Sequence, residues 1–251
     1  MKDFTLTIYQ RFLSAFLQNG YSFFTFEEFC EGKAKEPFVI LRHDVDLKAE
    51  NSLETAKIEN KLGIRGSYFF RVVPQSDKPK IIKEIADFSH EIGYHYEDLS
   101  LFKGDYEKAI EHFETKLNYF RQYYPVKTIC MHGSPTSKID NRSIWQKYNY
   151  KNFGIIGEPY FDIDFNQVLY LTDTGRSWDG ERYSVRDKVQ SKYDFHFRTT
   201  SDIIKAIDKN QLPNQIMITT HPQRWTDNKI EWFIELFSQS VKNKVKRLLI
   251  T

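Results

Sequence analysis

Four short segments of the chain run from an apolar stretch into an aspartate or a histidine. They are Phe38-Val39-Ile40-Leu41-Arg42-His43-Asp44-Val45-Asp46, His90-Glu91-Ile92-Gly93-Tyr94-His95-Tyr96-Glu97, Thr128-Ile129-Cys130-Met131-His132-Gly133 and Ile216-Met217-Ile218-Thr219-Thr220-His221-Pro222. Each reads as a buried strand that delivers a metal ligand or an acid–base group at its C-terminal end. Several such strands separated by helical segments point to a barrel with its active site on one rim.

Asp44 and Asp46 are two residues apart, so on an extended backbone both side chains leave the same face. Neighbouring buried carboxylates repel, and a cation beside them is the natural remedy. On that reading Asp46 is a metal ligand and Asp44 a base acting on metal-bound water. An equal alternative has Asp46 capping a helix that starts near Lys48, with Asp44 bridged to Arg42. His90, Glu91 and His95 fail the i, i+4 spacing of the zinc-protease motif, and Gly93 lies between them. A helix is expected to end near Glu91, leaving His90 in a structural role at its C-terminus. A strand then begins at Gly93. His95 and Glu97 share the face that Asp46 occupies, with Tyr94 and Tyr96 on the other.

His132 and His221 close two further strands, before Gly133-Ser134-Pro135 and Pro222. Either alone reads equally as a turn residue; four strand ends of one kind make metal or proton chemistry the better reading of the set. Asp173 follows a fifth strand, where it either orients a histidine, lies on the substrate side of the site or is an ordinary turn residue. Arg71, at the end of a strand over 66–72, is a candidate for a substrate anion or an acidic ligand, against a surface salt bridge. Trp178, between Gly175 and Gly180, is a candidate for stacking on a sugar, against a loop-anchoring aromatic. His43, His112 and His196 read as structural.

The elements needed to position these groups follow from periodicity and breakers. Helices are expected over about 4–18, 48–62, 79–91, 104–123, 140–148, 200–210 and 227–247, with a short helix or turn at 26–30. Strands are expected over 37–43, 66–72, 93–97, 126–132 and 215–220, and shorter ones over 168–172 and 194–198. The alternation argues for one α/β domain over 1–251 with a parallel sheet, more readily a barrel than an open sheet, and a helical N-terminal extension over about 1–34.

Composition narrows the function classes. Of 251 residues, 40% are apolar and 28% charged, which supports a sizeable core. The net charge of +2 gives no nucleic-acid footprint. Two cysteines without close pairing exclude a disulfide framework or a cysteine-rich zinc finger. No signal-peptide core and no run of transmembrane length are read, so a cytoplasmic protein is expected. No phosphate-cradling loop, dinucleotide fingerprint or nucleophile elbow occurs.

Arg42-His43-Asp44-Val45-Asp46 and His90-Glu91-Ile92-Gly93-Tyr94-His95, in this order, resemble the polysaccharide deacetylase (NodB-homology) superfamily, above all the subgroup of O-antigen and other surface-polysaccharide clusters. The resemblance spans residues 35 to 225. It implies a distorted (β/α) barrel of about seven strands and metal-dependent removal of an acyl group, usually N-acetyl, from an amino sugar. By position it implies that Asp44 is the catalytic base, Asp46 and His95 are metal ligands and His221 is the general acid. The family's second metal histidine falls on Leu99, which cannot bind a metal, and Glu97 or His132 is expected to take its place.

The expected protein is therefore a divalent-metal hydrolase, with zinc the first choice, acting on an amino-sugar glycan or an activated sugar precursor. The alternatives are an amidohydrolase acting on a non-sugar amide and an inactive carbohydrate-binding or scaffold protein.

Overall fold

The computed structural model describes residues 2–133, 137–178 and 189–250; Ser134, Pro135 and Gly180 lie outside them. The chain opens with helix α1 (Leu6–Gln18), strand β1 (Ser22–Phe24) and helix α2 (Phe26–Cys30). Then come β2 (Phe38–Val45), α3 (Ala49–Lys61), β3 (Ser67–Phe70), α4 (Pro79–Asp87) and β4 (Glu91–Tyr96). A short α5 (Asp98–Leu101) leads to α6 (Tyr106–Phe120), β5 (Ile129–Met131), α7 (Ile144–Lys147), α8 (Pro159–Asp162) and β6 (Leu169–Thr172). The chain finishes with α9 (Thr200–Asp208), β7 (Gln215–Thr220) and α10 (Lys229–Ile250). None of the described helices is long and apolar enough to cross a membrane.

The strands form one seven-stranded sheet in the order β5-β4-β3-β2-β7-β6, every pairing parallel. β1 lies beside the first half of β2, with Ser22 opposite Phe38, and β3 takes over the same edge from Arg42 onward. Among the described residues no ladder joins β5 to β6, so the curled sheet is a half-barrel open on that side. This is the distorted barrel expected from the sequence.

Alternation along β2 decides what each residue faces. Phe38 and Ile40 point inward with Phe69, Cys130 and Met217, while Val39 and Leu41 point outward beneath α1 and α9. Continuing that period sends Arg42 and Asp44 into the interior and His43 to the outside. There His43 Nε2 lies 3.0 Å from Glu59 Oε1 on α3, which also accepts from the Tyr9 and Tyr68 hydroxyls at 2.6 and 2.8 Å.

Three expectations change. β1 was not read from the sequence; three residues give too short a period to distinguish a strand from a loop. The helix expected to reach Glu91 stops at Asp87, because Ser89 adopts φ 68° and breaks the helical path. Glu91 instead begins β4, where its N–H donates to Gly66 O at 3.0 Å. His90 is therefore not at a helix C-terminus: it is buried, its Nδ1 accepts from Gly66 N–H at 3.0 Å, and burial pushes its pKa down. The strand expected over 194–198 does not form; Tyr193, Phe195 and Phe197 stack on one another against the outer core.

Two measurements test this packing. A Cβ at Gly93 would stand 2.3 Å from Phe69 Cδ1 inside the barrel. Gly93→Ala is expected to cost about 1–3 kcal/mol, read as a lower urea midpoint at unchanged slope. Glu91 ties β3 to β5 by accepting from the Ser67 and Thr128 hydroxyls, and burial raises its carboxyl from 4.5 to about 7. The native state thus keeps a proton that the unfolded state has lost between those values, and stability falls as pH rises through that window. Glu91→Gln is expected to remove that part of the slope, on the order of 3 kcal/mol in total, in urea titrations across pH 4 to 8.

Candidate active site

In a parallel sheet all strands end on the same rim. Asp46 follows β2, His95 lies near the end of β4, His132 follows β5, Asp173 follows β6 and His221 follows β7. On a flat sheet the ends of β5 and β2 would stand about 14 Å apart. The curl closes that gap: His132 Nε2 and His95 Nε2 each lie 3.5 Å from Asp46 Oδ1, and His221 Nε2 lies 3.9 Å from Asp46 Oδ2.

Each imidazole is held from behind. His95 Nδ1 lies 3.0 Å from Cys130 O, His132 Nδ1 2.9 Å from Glu97 Oε2, and His221 Nδ1 2.6 Å from Asp173 Oδ1. All three partners are acceptors, so each ring carries its proton on Nδ1 and turns an Nε2 lone pair toward Asp46. Arg224 Nη1 also lies 2.7 Å from His221 Nδ1. An ionised Asp173 cannot donate, so the His221 proton belongs between ring and carboxylate. Arg224 donates to Asp173 O and Oδ1, at 2.8 and 2.6 Å.

Asp44 is buried and receives two hydrogen bonds from Arg42: Nε to Oδ1 at 2.8 Å and Nη2 to Oδ2 at 2.6 Å. Burial raises the Asp44 carboxyl, but Arg42 and then His95 outweigh it and leave it below the usual carboxylate range. Asp46 is held well below its ordinary value: burial opposes ionisation, and the facing His132, His95 and His221 prevail. Burial likewise opposes charge on His95, yet Asp44 and Asp46 keep its pKa above the ordinary one.

Asp46 Oδ1 is buried without a hydrogen-bond partner. A lone carboxylate oxygen facing two imidazole lone pairs needs a cation or protons between them. Ligands about 2.1 Å from one tetrahedral ion stand about 3.4 Å apart, close to the 3.5 Å found from Oδ1 to each Nε2. Asp46, His95 and His132 offer atoms all within 4.8 Å of one another, a nitrogen and oxygen set suited to zinc and similar divalent ions. A second group, Asp44, His95 and Cys130, shares His95. Its carboxylate is already engaged by both Arg42 donors, which makes it the poorer candidate.

The structure revises several sequence expectations. Asp46 does not cap α3: Lys48 occupies that position and no side chain caps the first turn. Asp44 is bridged to Arg42, as the alternative reading had it, and at the same time lies 3.7 Å from His95 Nε2, so the bridge does not remove it from the cluster. Glu97 falls outside the ligand cluster, because Arg71 holds its Oε1 while its Oε2 holds His132. Burial raises the Glu97 carboxyl, but His132 and Arg71 outweigh it and keep it at about 2. Arg71 pairs with Glu97 and is not a free substrate-anion site.

Asp173 is fully buried and takes donors from His221 N–H at 3.0 Å and Trp225 Nε1 at 2.8 Å besides the two above, so it orients His221 and does not meet substrate. Trp178 is 3% exposed, donates to Thr200 Oγ1 at 2.9 Å and packs on Phe12, which makes it core and not a sugar platform. The sequence reading missed Gln223, whose Nε2 donates to Asp46 Oδ2 at 3.4 Å, along with Arg224 and Trp225. The available signal was a run of polar and aromatic side chains directly after His221.

No protein-family model matches the chain, and no curated protein sequence matches it. Among solved structures it is similar to a CE4 family pseudoenzyme from Bacillus anthracis, at 14% identity and TM-score 0.45, covering 84% of this chain and 62% of that one. It is also similar to Bacillus subtilis PdaA, a family 4 carbohydrate esterase, at 11% identity and TM-score 0.41, covering 92% of this chain and 84% of that one. The chain thus spans under two thirds of the length of the Bacillus anthracis protein. Likenesses at these scores bear on neither activity nor substrate.

Groups that fix the rings of metal-binding histidines typically contribute about 10–100-fold in affinity. Glu97→Ala, which frees the His132 ring, is expected to weaken zinc binding by about that factor in competition with a chromophoric chelator. His132→Ala, which removes a ligand atom, is expected to weaken it further.

Proposed function

We propose that the chain is a metal-dependent hydrolase that removes an N-acyl group, N-acetyl above all, from an amino sugar. The observation that carries this reading is a single carboxylate, Asp46, faced by the Nε2 atoms of His95, His132 and His221, with the Arg42-bound carboxylate of Asp44 alongside. Asp46, His95 and His132 are the metal ligands in this reading, and His132 replaces the ligand that the deacetylase pattern places at Leu99.

A divalent ion held by these three groups would supply Lewis acidity and make a bound water more acidic. The chain's own residues carry the proton traffic. Asp44, kept ionised by Arg42, accepts the proton lost as water adds to the acyl carbon. His221, fixed by Asp173 with Nε2 facing the site, carries a second proton on Nε2 in this step and delivers it to the nitrogen as the C–N bond breaks, and the proton taken up by Asp44 then replaces it. An amine is a poor leaving group unless protonated, so this step needs a well-placed acid. The products are acetate and a free amino sugar.

The resemblance in the Arg42–Asp46 and His90–His95 segments supports placing the reaction in surface-polysaccharide synthesis, on an amino-sugar glycan or an activated sugar precursor. Zinc is the proposed ion because two imidazoles and one carboxylate match its preferred donors.

Acetate release from N-acetylated amino sugars, measured with zinc-loaded protein, tests the reading. Asp44→Asn and His221→Ala are each expected to lower turnover by about 10²–10⁴-fold with metal content unchanged. Asp46→Ala is expected to lose the metal itself. Wild-type protein that takes up no zinc, cobalt, nickel or manganese would refute the hydrolase and leave a binding role. Acetate release only from non-sugar amides would transfer the site to an amidohydrolase.

A further inference from the structure

With Trp178 in the core, sugar contact falls to another aromatic surface. Outside α10, Phe161 on α8 is the one exposed Phe, Tyr or Trp side chain among the described residues, at 50%. Its ring stacks on Tyr150, with centroids 6.3 Å apart and planes 19° from parallel. Trp145 meets Tyr150 edge-on, at 5.5 Å. The polar ends of both partners are engaged within the protein: Tyr150 OH donates to Asp162 Oδ2 and Trp145 Nε1 to Tyr96 OH, each at 2.9 Å. Carbon surface of the three rings is left to line a cleft of about 320 Å³.

The rest of that lining is polar. It comes from Ser143, the exposed amide of Gln146 and the ion pair of Asp140 with Arg142. A sugar ring has C–H groups on its faces and hydroxyls around its edge. Aromatic surface opposite a hydroxyl and a carboxamide, which both donate and accept, matches that division. Arg142, the cation of the lining, is held by Asp140 through Nη2 to Oδ2 at 2.6 Å and Nε to both oxygens at 3.1 Å. The two charges cancel, so the cleft favours a neutral unit over a phosphate or diphosphate.

The cleft adjoins the active site. Asn141, next to Arg142, donates from Nδ2 to His132 O at 2.9 Å. The Arg142 guanidinium lies 5.1 Å from the centre of the Tyr160 ring, and Arg42, which holds Asp44, lies 5.3 Å from the same ring. None of the lining residues belongs to the metal or proton groups. A unit bound there is therefore a neighbour of the reacting one and not the reacting one itself.

We propose that this cleft binds the sugar next to the one that loses its acyl group, with Phe161 as the stacking platform, so that the substrate is a glycan of at least two sugars. The role of the reacting sugar rests on the hydrolase reading above. Binding is tested by calorimetry in an Asp44→Asn background, which blocks turnover, with N-acetylhexosamines and their di- and trisaccharides of different linkages. For at least one linkage the longer glycan should bind about tenfold more tightly than its monosaccharide, the effect of covering about 50–60 Å² of apolar surface. Phe161→Ala should abolish that gain and Phe161→Tyr should keep it. With Asp44 intact, Phe161→Ala should raise KM for the longer glycan, leaving its kcat and monosaccharide turnover unchanged. A glycan that binds no better than its monosaccharide at every linkage, or a gain that survives Phe161→Ala, overturns the proposal whether or not acetate is released. A Phe161-dependent gain without acetate release supports the cleft as a glycan site and fails the hydrolase reading alone. Tighter binding of uridine diphosphate than of any glycan, lost in Phe161→Ala, assigns the ring to a nucleobase and overturns the proposal.

Discussion

A carboxylate removed from water costs several kcal/mol unless it is paired and hydrogen-bonded, and the rim of this sheet carries several. The structure meets the cost in three parallel ways. Arg42 grips Asp44, Arg71 grips Glu97, and Arg224 grips Asp173, each at 2.6 Å. Asp44 is itself the proposed base, while Glu97 and Asp173 each stand behind a histidine. Each arginine therefore stabilises one buried negative charge and fixes one functional group. Asp46 has no arginine partner among the described residues and faces three imidazole nitrogens instead. That difference from Asp44, Glu97 and Asp173 is what makes it the candidate cation site.

The same constraint accounts for the division of labour among the histidines. His43 and His95 both lie on central strands, yet alternation sends His43 outward to Glu59 and His95 inward to Asp44 and Asp46. His90 and His112 are held by local partners, Gly66 N–H and Asp98 respectively. Only histidines at the C-terminal ends of inward-facing positions reach the centre. Their Nδ1 partners differ in strength: a backbone carbonyl behind His95 and carboxylates behind His132 and His221. A carboxylate behind a ring fixes its tautomer and orientation, which suits the proton donor proposed at His221 and the ligand proposed at His132.

Much of the fold was legible in the sequence because parallel central strands are buried on both faces. Phe38–Leu41 and Ile216–Ile218 read as continuous apolar runs and lie where expected, and the charged residues at their ends mark the rim. What was not legible involves short elements or unusual backbone. β1 is too brief to show a period, and Ser89, at positive φ, ends a helix where no glycine or proline announces it. The candidate site was legible to the same degree. Asp44, Asp46, His95, His132 and His221 do come together, whereas Glu97, Arg71, Asp173 and Trp178 occupy places that their residue types did not reveal.

The sequence by itself determined which side chains could leave the same face, since a period of two fixes that for Asp44 and Asp46 and for His95 and Glu97. It also determined that each group would sit at a strand end. Only the tertiary structure decided which groups meet across strands, because sheet order and curl are set by packing between segments far apart in the chain. That packing put His132, not Glu97, against Asp46, and turned Glu97 back toward Arg71. It buried Asp173 behind His221 and drew Trp178 into the core.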